Sequence, residues 1–471
     1  MDRRARILFW IVTTIILMSI LGFLLFVLPV VHVVLTSGQP LRSQLFVRTG
    51  FNLETPDDMQ TRLLPWPQVV AHQVSLLATP SSIQTPLLTA KRVNAHIAPF
   101  AIPHPTYFSS VDIISPHVRV ITDANNQNNW STPQIVQWTT AGPHPITTAQ
   151  ALGALQSHAA SFTRFTWKDG LLFWQNAYTH HIFHITHWTG RVDHIGTNRK
   201  VFFSTTGLLQ LPLSSNTTDM TLTGIFQYNP LLKDGSIILS NGLIHVIRSQ
   251  KPTLTIHCNA TALFNTALHS LVILPLRCDM HDIAFLTGQW VSTPSSTTYA
   301  PFAAGRLNSR LQAHLLPLLT QLYPSSVPPL LSGDLSAALL LVITPAQQPQ
   351  MIPLLQTSFT IENGALHGVD ITQWLKALAT NTETPLMTGS TLLTRFHSMN
   401  GNATLSLDNI LTIQQIQLSN DDFKMTGNCS VNLTTEAMSG TFTITPTDHS
   451  SVQTMALRGT LTHPIFYQSP S

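Results

Sequence analysis

Along most of this chain apolar and polar residues alternate with a period of two, the mark of strands with one buried and one wet face. The pattern recurs in VVAHQVSLLA (69–78), VDIISPHVRVIT (111–122), FTRFTWKDGLLFW (162–174), HHIFHITHW (180–188) and SIILSNGLIHVI (236–247). It continues in TLTIHCNATALF (253–264), TSFTIENGALHGVDI (357–371), GNATLSLDNILTIQQIQLS (401–419) and FKMTGNCSVNL (423–433). In the clearest of these, Leu405, Leu407, Ile410, Ile413, Ile416 and Leu418 form apolar rows around a turn near Asp408 and Asn409. Asp169-Gly170, Asp234-Gly235, Asn241-Gly242, Asn363-Gly364 and Asn400-Gly401 stand between strand-like residues and suit the type I′ turn, which needs positive φ at both central positions. The prediction is a mainly β chain of antiparallel hairpins without a fixed repeat length.

Helical patterns are few. Ile7–Leu35 is a 29-residue run without a charged side chain, long enough to cross a bilayer core of roughly 30 Å. Arg3, Arg4 and Arg6 precede it, so the positive-inside rule keeps the short N-terminus cytoplasmic. The run is longer than a signal-peptide core and no small-x-small site follows, which favours an uncleaved anchor over a late-cleaved signal. After it, QPLRSQLFVRTG places Leu41 and Leu45 on one face and ends on Gly50, a glycine-capped short helix. Amphipathic helices are also expected at 148–162 and at 306–323, where Leu307, Leu311, Leu315, Leu318 and Leu322 keep helical spacing and Pro317 kinks or splits the element. Asp370 is a helix cap, with Trp374, Leu375 and Leu378 facing one way. These helices are expected to pack on a sheet.

Composition narrows the function. The chain has 471 residues, 44% hydrophobic and 10% charged, with a formal charge of +3, so it can bury a large core and lacks the basic footprint of a nucleic-acid binder. No nucleophile elbow, His-Glu-x-x-His, P-loop or dinucleotide motif occurs, and glutamate is absent between Glu54 and Glu362. Neither catalysis nor a cofactor is expected. Among 21 histidines the densest group is His180, His181, His184 and His187; on a strand His180 and His184 share one face, His181 and His187 the other, so at most two point at a common metal. Cysteine spacing makes no zinc motif. Cys258 and Cys278 could bridge neighbouring strands in an oxidising compartment or stay free, and Cys429 is left unpaired. Asn129-Trp130-Ser131 and Asn216-Thr217-Thr218 read as glycan acceptors in a eukaryotic secretory protein and as chance in an Asn/Thr-rich bacterial one.

The order of features then becomes informative. After the apolar run come Thr49 and Gly50, the strand entry Pro65-Trp66-Pro67, Leu87 with Ala90 and Val93, and a strand from Pro116 that ends in a turn with Asp123, Asn129 and Trp130. Distally come the Asn-Gly pair at Gly364, a Gly-x-Asp helix start at Gly368 and Asp370, a Gly-x-Thr segment at Gly389, and a glycine strand at Gly427. In this order the chain resembles the AsmA family of bacterial envelope proteins. It departs at Asn428-Cys429-Ser430, where the family usually has a second glycine, and residues 190–345 match only as generic strands. The resemblance implies a short member of that family. Its expected organisation is residues 1–6 cytoplasmic, 7–35 transmembrane, 36–300 an N-terminal periplasmic β-module, 301–345 a helical linker and 346–471 a C-terminal β-module. The implied fold is an elongated, curled antiparallel sheet with an apolar concave face and a few short packing helices. The implied role is non-enzymatic: outer-membrane biogenesis at the inner membrane, guiding phospholipid acyl chains along a β-groove, with other envelope proteins as further partners. The alternative is a scaffold for outer-membrane protein assembly that binds polypeptide. The glycine, proline, Asp/Asn and tryptophan positions just named are structural on this reading.

Overall fold

A computed structural model describes residues 42, 46, 47 and 50–468, less 57–58, 63–67, 80–82, 98–107, 124–126, 131, 133–163, 178–180, 195–199, 211–216, 230–233, 248–252, 266–269, 293–304, 323–329, 346–350, 381–385, 387, 407–408, 449–450 and 461–463. Residues 7–35 and the helix expected at 148–162 lie outside the described residues, as do Thr49, Pro65, Trp66 and Pro67. Among the described residues no helix is long and apolar enough to cross a membrane. The chain is mainly β, with 22 strands and two short helices among those residues. It divides into two compact units, one from residues within Met1–Pro212 and Ile225–Lys233, the other from Leu213–Gly224 and Asp234–Ser471. That boundary differs from the one expected near residue 300.

The first unit holds β1 (Phe51–Glu54), β2 (Gln60–Arg62), β3 (Gln68–Ala78), β4 (Leu88–Ile97), β5 (Phe108–Thr122), β6 (Arg164–Asn176), β7 (His181–Asp193) and β8 (Lys200–Gln210). Gly50 ends the preceding turn at φ 72°, its N–H bonding to Phe46 O at 2.7 Å, which is the expected glycine cap. β1 and β2 both pair with one edge of β3, and Pro56 lies in the interruption between them, where a missing N–H costs no ladder bond. β3 to β5 and β6 to β8 are antiparallel neighbours. β5 and β6 are parallel, against the all-antiparallel expectation. A parallel pair needs a long crossover, and residues 123–163 supply it where a hairpin loop could not. The unit's core is Ala71, Val74, Ala90, Ile113 and Trp167, with Val93, Phe165 and Trp188 packed against it.

β9 (Thr217–Asn229), divided between the units, pairs with β10 (Asp234–Ile247). β11 (Leu254–Asn265), β12 (Ser270–Met280), β13 (Ala284–Ser292), β14 (Gly305–His314) and β15 (Leu331–Pro345) follow, each antiparallel to the one before. Helix α1 (Leu315–Leu322) links β14 to β15. The described residues of the region expected as a helical linker are therefore mostly strand. Leu307 and Leu311 satisfy a period of two as well as one of four, and pairing with β13 and β15 on both sides decides between them. Pro317 neither kinks nor splits α1; it sits in the first turn, where its N–H would have no partner anyway.

β16 (Met351–Val369), helix α2 (Ile371–Thr380), β17 (Thr388–Leu405), β18 (Ile410–Ser419), β19 (Phe423–Asn432), β20 (Ala437–Pro446), β21 (Gln453–Thr460) and β22 (Pro464–Gln468) complete the second unit. Successive strands pair antiparallel until β22 comes back beside β16. The lobe so enclosed is filled by its own side chains, among them Ile361, Phe396, Ile416, Leu418, Phe423, Met425, Phe442, Ile444 and Met455. α2 closes onto the same core through Ile371 and Trp374, with Leu375 and Leu378 alongside, and is capped as expected by Asp370, whose Oδ1 accepts Gln373 N–H at 2.8 Å.

None of the Asp-Gly and Asn-Gly pairs makes the expected hairpin turn. Asp234 opens β10, and the others lie inside strands. Asp169 (φ 51°) and Asn363 (φ 51°) are extra residues in β6 and β16, and Ser240-Asn241 is a bulge in β10. Gly401 faces a bulge in β18 at Gln415 (φ 54°). The same tolerance of positive φ that suits a type I′ turn suits a bulge. By contrast the chain reverses between β17 and β18, near the turn expected around Asp408 and Asn409, with Asn409 N–H bonding to Ser406 O; Asp408 itself lies outside the described residues.

Candidate functional site

The register gives the strands of the second unit a continuous apolar side, while Ile238, Leu263, Phe285 and Val291 stand exposed on the other. One transverse row reads Leu239, Ala260, Leu276, Gly288, Ser309 and Leu339; the next reads Gly242, Cys258, Cys278, Leu286, Leu311 and Ala337. On the opposite side the intervening row is Asn259, Arg277, Thr287, Arg310 and Ala338. From β16 to β22 the apolar side faces the lobe and is mostly buried, with Phe359, Leu405, Leu411 and Ile413 half-buried at one end of β16–β18. From β10 to β15 it is not: Leu239, Leu276, Leu286, Trp290, Leu307, Leu311 and Leu339 are all half-buried, and Ile237 is 38% exposed. An apolar face left open to this degree is a candidate ligand or partner surface. The Oγ of Ser309, in its midst, is buried without a hydrogen-bond partner.

Two features hold this face in shape. Cys258 and Cys278 are direct cross-strand partners and are bonded, with Cα atoms 4.2 Å apart. Gly305 gives the Trp290 ring its place: a Cβ there would come within 2.5 Å of the indole. Cys429 is buried apart from them, and burial pushes its thiol up to about 11, which leaves it inert.

The polar side carries clefts. One, of about 1070 Å³, lies where β16 and β17 meet the start of α2, lined by Ser332, His367, Asp370, Lys376, Arg395 and His397. In it His367 Nε2 is 3.0 Å from Ser332 Oγ, and burial lowers the imidazole pKa. A second, of about 780 Å³ in the first unit, holds Asp112, Arg164, Thr166, Arg191 and Asp193. Burial alone would raise the Asp193 carboxyl, but hydrogen bonds from Arg191 and Arg164 outweigh it and hold the group below the usual carboxylate range. His184 meets Gln210 and His187 meets Asp169; among the described residues no group of three His, Cys, Asp or Glu side chains could hold a metal.

The motif residues fall at structural points rather than together. Ala90 is core. Pro116 is buried against Gly170, where a Cβ would meet its ring at 2.8 Å. Asp123 closes its turn by accepting Gln127 N–H at 2.7 Å. Asn129 is fully buried: its side chain accepts Ile121 N–H at 2.9 Å and donates to Arg119 O and Thr85 O, continuing the ladder on β5 past the end of β4. Both ends of its amide are committed, so this residue cannot carry a glycan in the folded chain. Trp130 Nε1 is buried without a partner. Gly364 and Gly427 lie under Phe396 and Phe442, Gly368 has φ 95°, and Gly389 is exposed. The open face of β10–β15 falls in the part of the sequence with the weakest motif signal. No family model matches the chain, and no similar protein was found among curated sequences or solved structures.

Proposed function

We propose that the chain is a non-enzymatic protein of cell-envelope biogenesis, anchored in the inner membrane by residues 7–35, that guides phospholipid acyl chains along an elongated apolar sheet face on the periplasmic side. The observation that carries the reading is the half-buried apolar side of β10–β15, continuous from Leu239 across Leu276, Leu286 and Leu311 to Leu339. A methylene moved from water onto such a face gains about 0.8 kcal/mol when fully covered, so an acyl chain needs no specific polar contact to be held. Because most of the lobe from β16 to β22 is filled by its own side chains, the acyl-carrying surface in this unit is centred on β10–β15.

The test places a photocrosslinking amino acid at Leu286 or Leu311 in the full-length membrane protein, with Met455 inside the lobe as control. Phospholipid adducts are expected at the first two positions and none at Met455. Adducts to polypeptide alone at Leu286 and Leu311 would instead support the scaffold reading.

A further inference from the structure

The first unit has a charged surface that the acyl-chain reading leaves unused. On the polar side of β4, β5 and β6, behind Val93, Ile113 and Trp167, stand Lys91, Arg92, Arg119 and Lys168. Arg92 pairs with Ile114, and Ile114 with Lys168, so those two cations lie two strand spacings, about 10 Å, apart. Lys91, Arg119 and Lys168 are exposed; Arg92 is half-buried, its Nε donating to Asn94 Oδ1 at 2.7 Å. Among the described residues none of them has a carboxylate within ion-pair distance. Three acids share this side: Asp112 bonds to His96 and Thr166, Asp169 to His187, and Asp193 to Arg164 and Arg191. Counting Arg164 and Arg191, six cations face these three acids on the same side, so the surface is net cationic in a chain that has few charges.

We infer that this polar side of β4–β6 docks on anionic phospholipid headgroups at the surface of the bilayer that anchors the chain. The inference rests on the anchored reading above, because residues 36–50 then tether β1 to the membrane over at most about 50 Å. Each cation near an anionic surface contributes enough to shift binding about fivefold, and a short tether makes weak headgroup contacts count.

The experiment measures acetylation rates of individual lysines in the full-length protein, in nanodiscs of phosphatidylcholine alone or with about one third phosphatidylglycerol. Lys91 and Lys168 should react about fivefold or more slowly in the anionic discs, recovering at high salt, while exposed Lys376 and Lys424 of the second unit stay unchanged. Equal rates for Lys91 and Lys168 in both discs overturn the inference. Arg92→Gln with Arg119→Gln, which leaves the core untouched, should remove most of the protection; protection that survives unchanged also counts against it. Alkaline extraction from neutral vesicles separates the two readings. A chain released by it is not anchored, and the docking surface then stands or falls on flotation at low salt: with phosphatidylglycerol vesicles but not neutral ones it stands, with neither it falls.

Discussion

Glycines in these strands make room for aromatic rings on the neighbouring strand. Gly190 lies under Trp167, Gly364 under Phe396, Gly401 under Phe359 and Gly427 under Phe442. A methyl at Gly427 would collide with the Thr441 backbone as well as the ring, so Gly427→Ala should lower stability by about 1–3 kcal/mol. Gly389→Ala, whose nearest neighbours are Leu392 atoms at 3.8 Å and beyond, should change the urea midpoint little and serves as the control. His367 supplies a pH signal. Its imidazole pKa is lowered in the folded state by burial, so the unfolded chain takes up the proton first. Stability is full above the unfolded value of about 6.5 and falls as pH drops below it. His367→Gln should flatten that part of the urea-midpoint profile between neutral and mildly acid pH.

At the scale of elements, the recurring device is a slip in the apolar period from two to three residues. Ala71 to Val74, Ile113 to Pro116, Trp167 to Gly170, Ile361 to Gly364 and Ile413 to Ile416 each step by three yet stay on one side. Gln73, Ser115, Asp169 and Asn363 sit in these steps with φ between 49° and 51° and take up the extra residue. In the first unit Gln73, Ser115 and Asp169 fall on one transverse line through β3–β6, so the strands bend together there. Deleting Asn363 should turn Gly364, Leu366 and Val369 to the wet side and abolish folding of the second unit, whereas Asn363→Gly should be tolerated. Circular dichroism on the two variants distinguishes them. Most strands were legible from alternation, and the α2 cap from Asp370. The Asp-Gly and Asn-Gly pairs misled because left-handed backbone serves a bulge as readily as a turn, and only the partner strand tells which. The helix expected from 306 failed for a like reason, since leucines four apart satisfy both periods until a neighbour pairs.

At the scale of the whole molecule, each unit has its own apolar core, and the disulfide belongs to the second. Linking residues 20 apart, it should contribute about 3 kcal/mol by restricting the unfolded chain. In a heating scan, reduction should shift the transition of the second unit downward and leave that of the first in place. By itself the sequence determined that the chain is mainly β, which side of most strands is apolar, and that charge and catalytic motifs are scarce, because all of these depend on local spacing and side-chain chemistry. Tertiary structure alone decided that β5 and β6 run parallel, that β22 returns to β16, and hence which stretch of apolar side is filled and which stays half-open. Those outcomes depend on which distant strands meet, and a period of two is the same whether the face it makes is covered or bare.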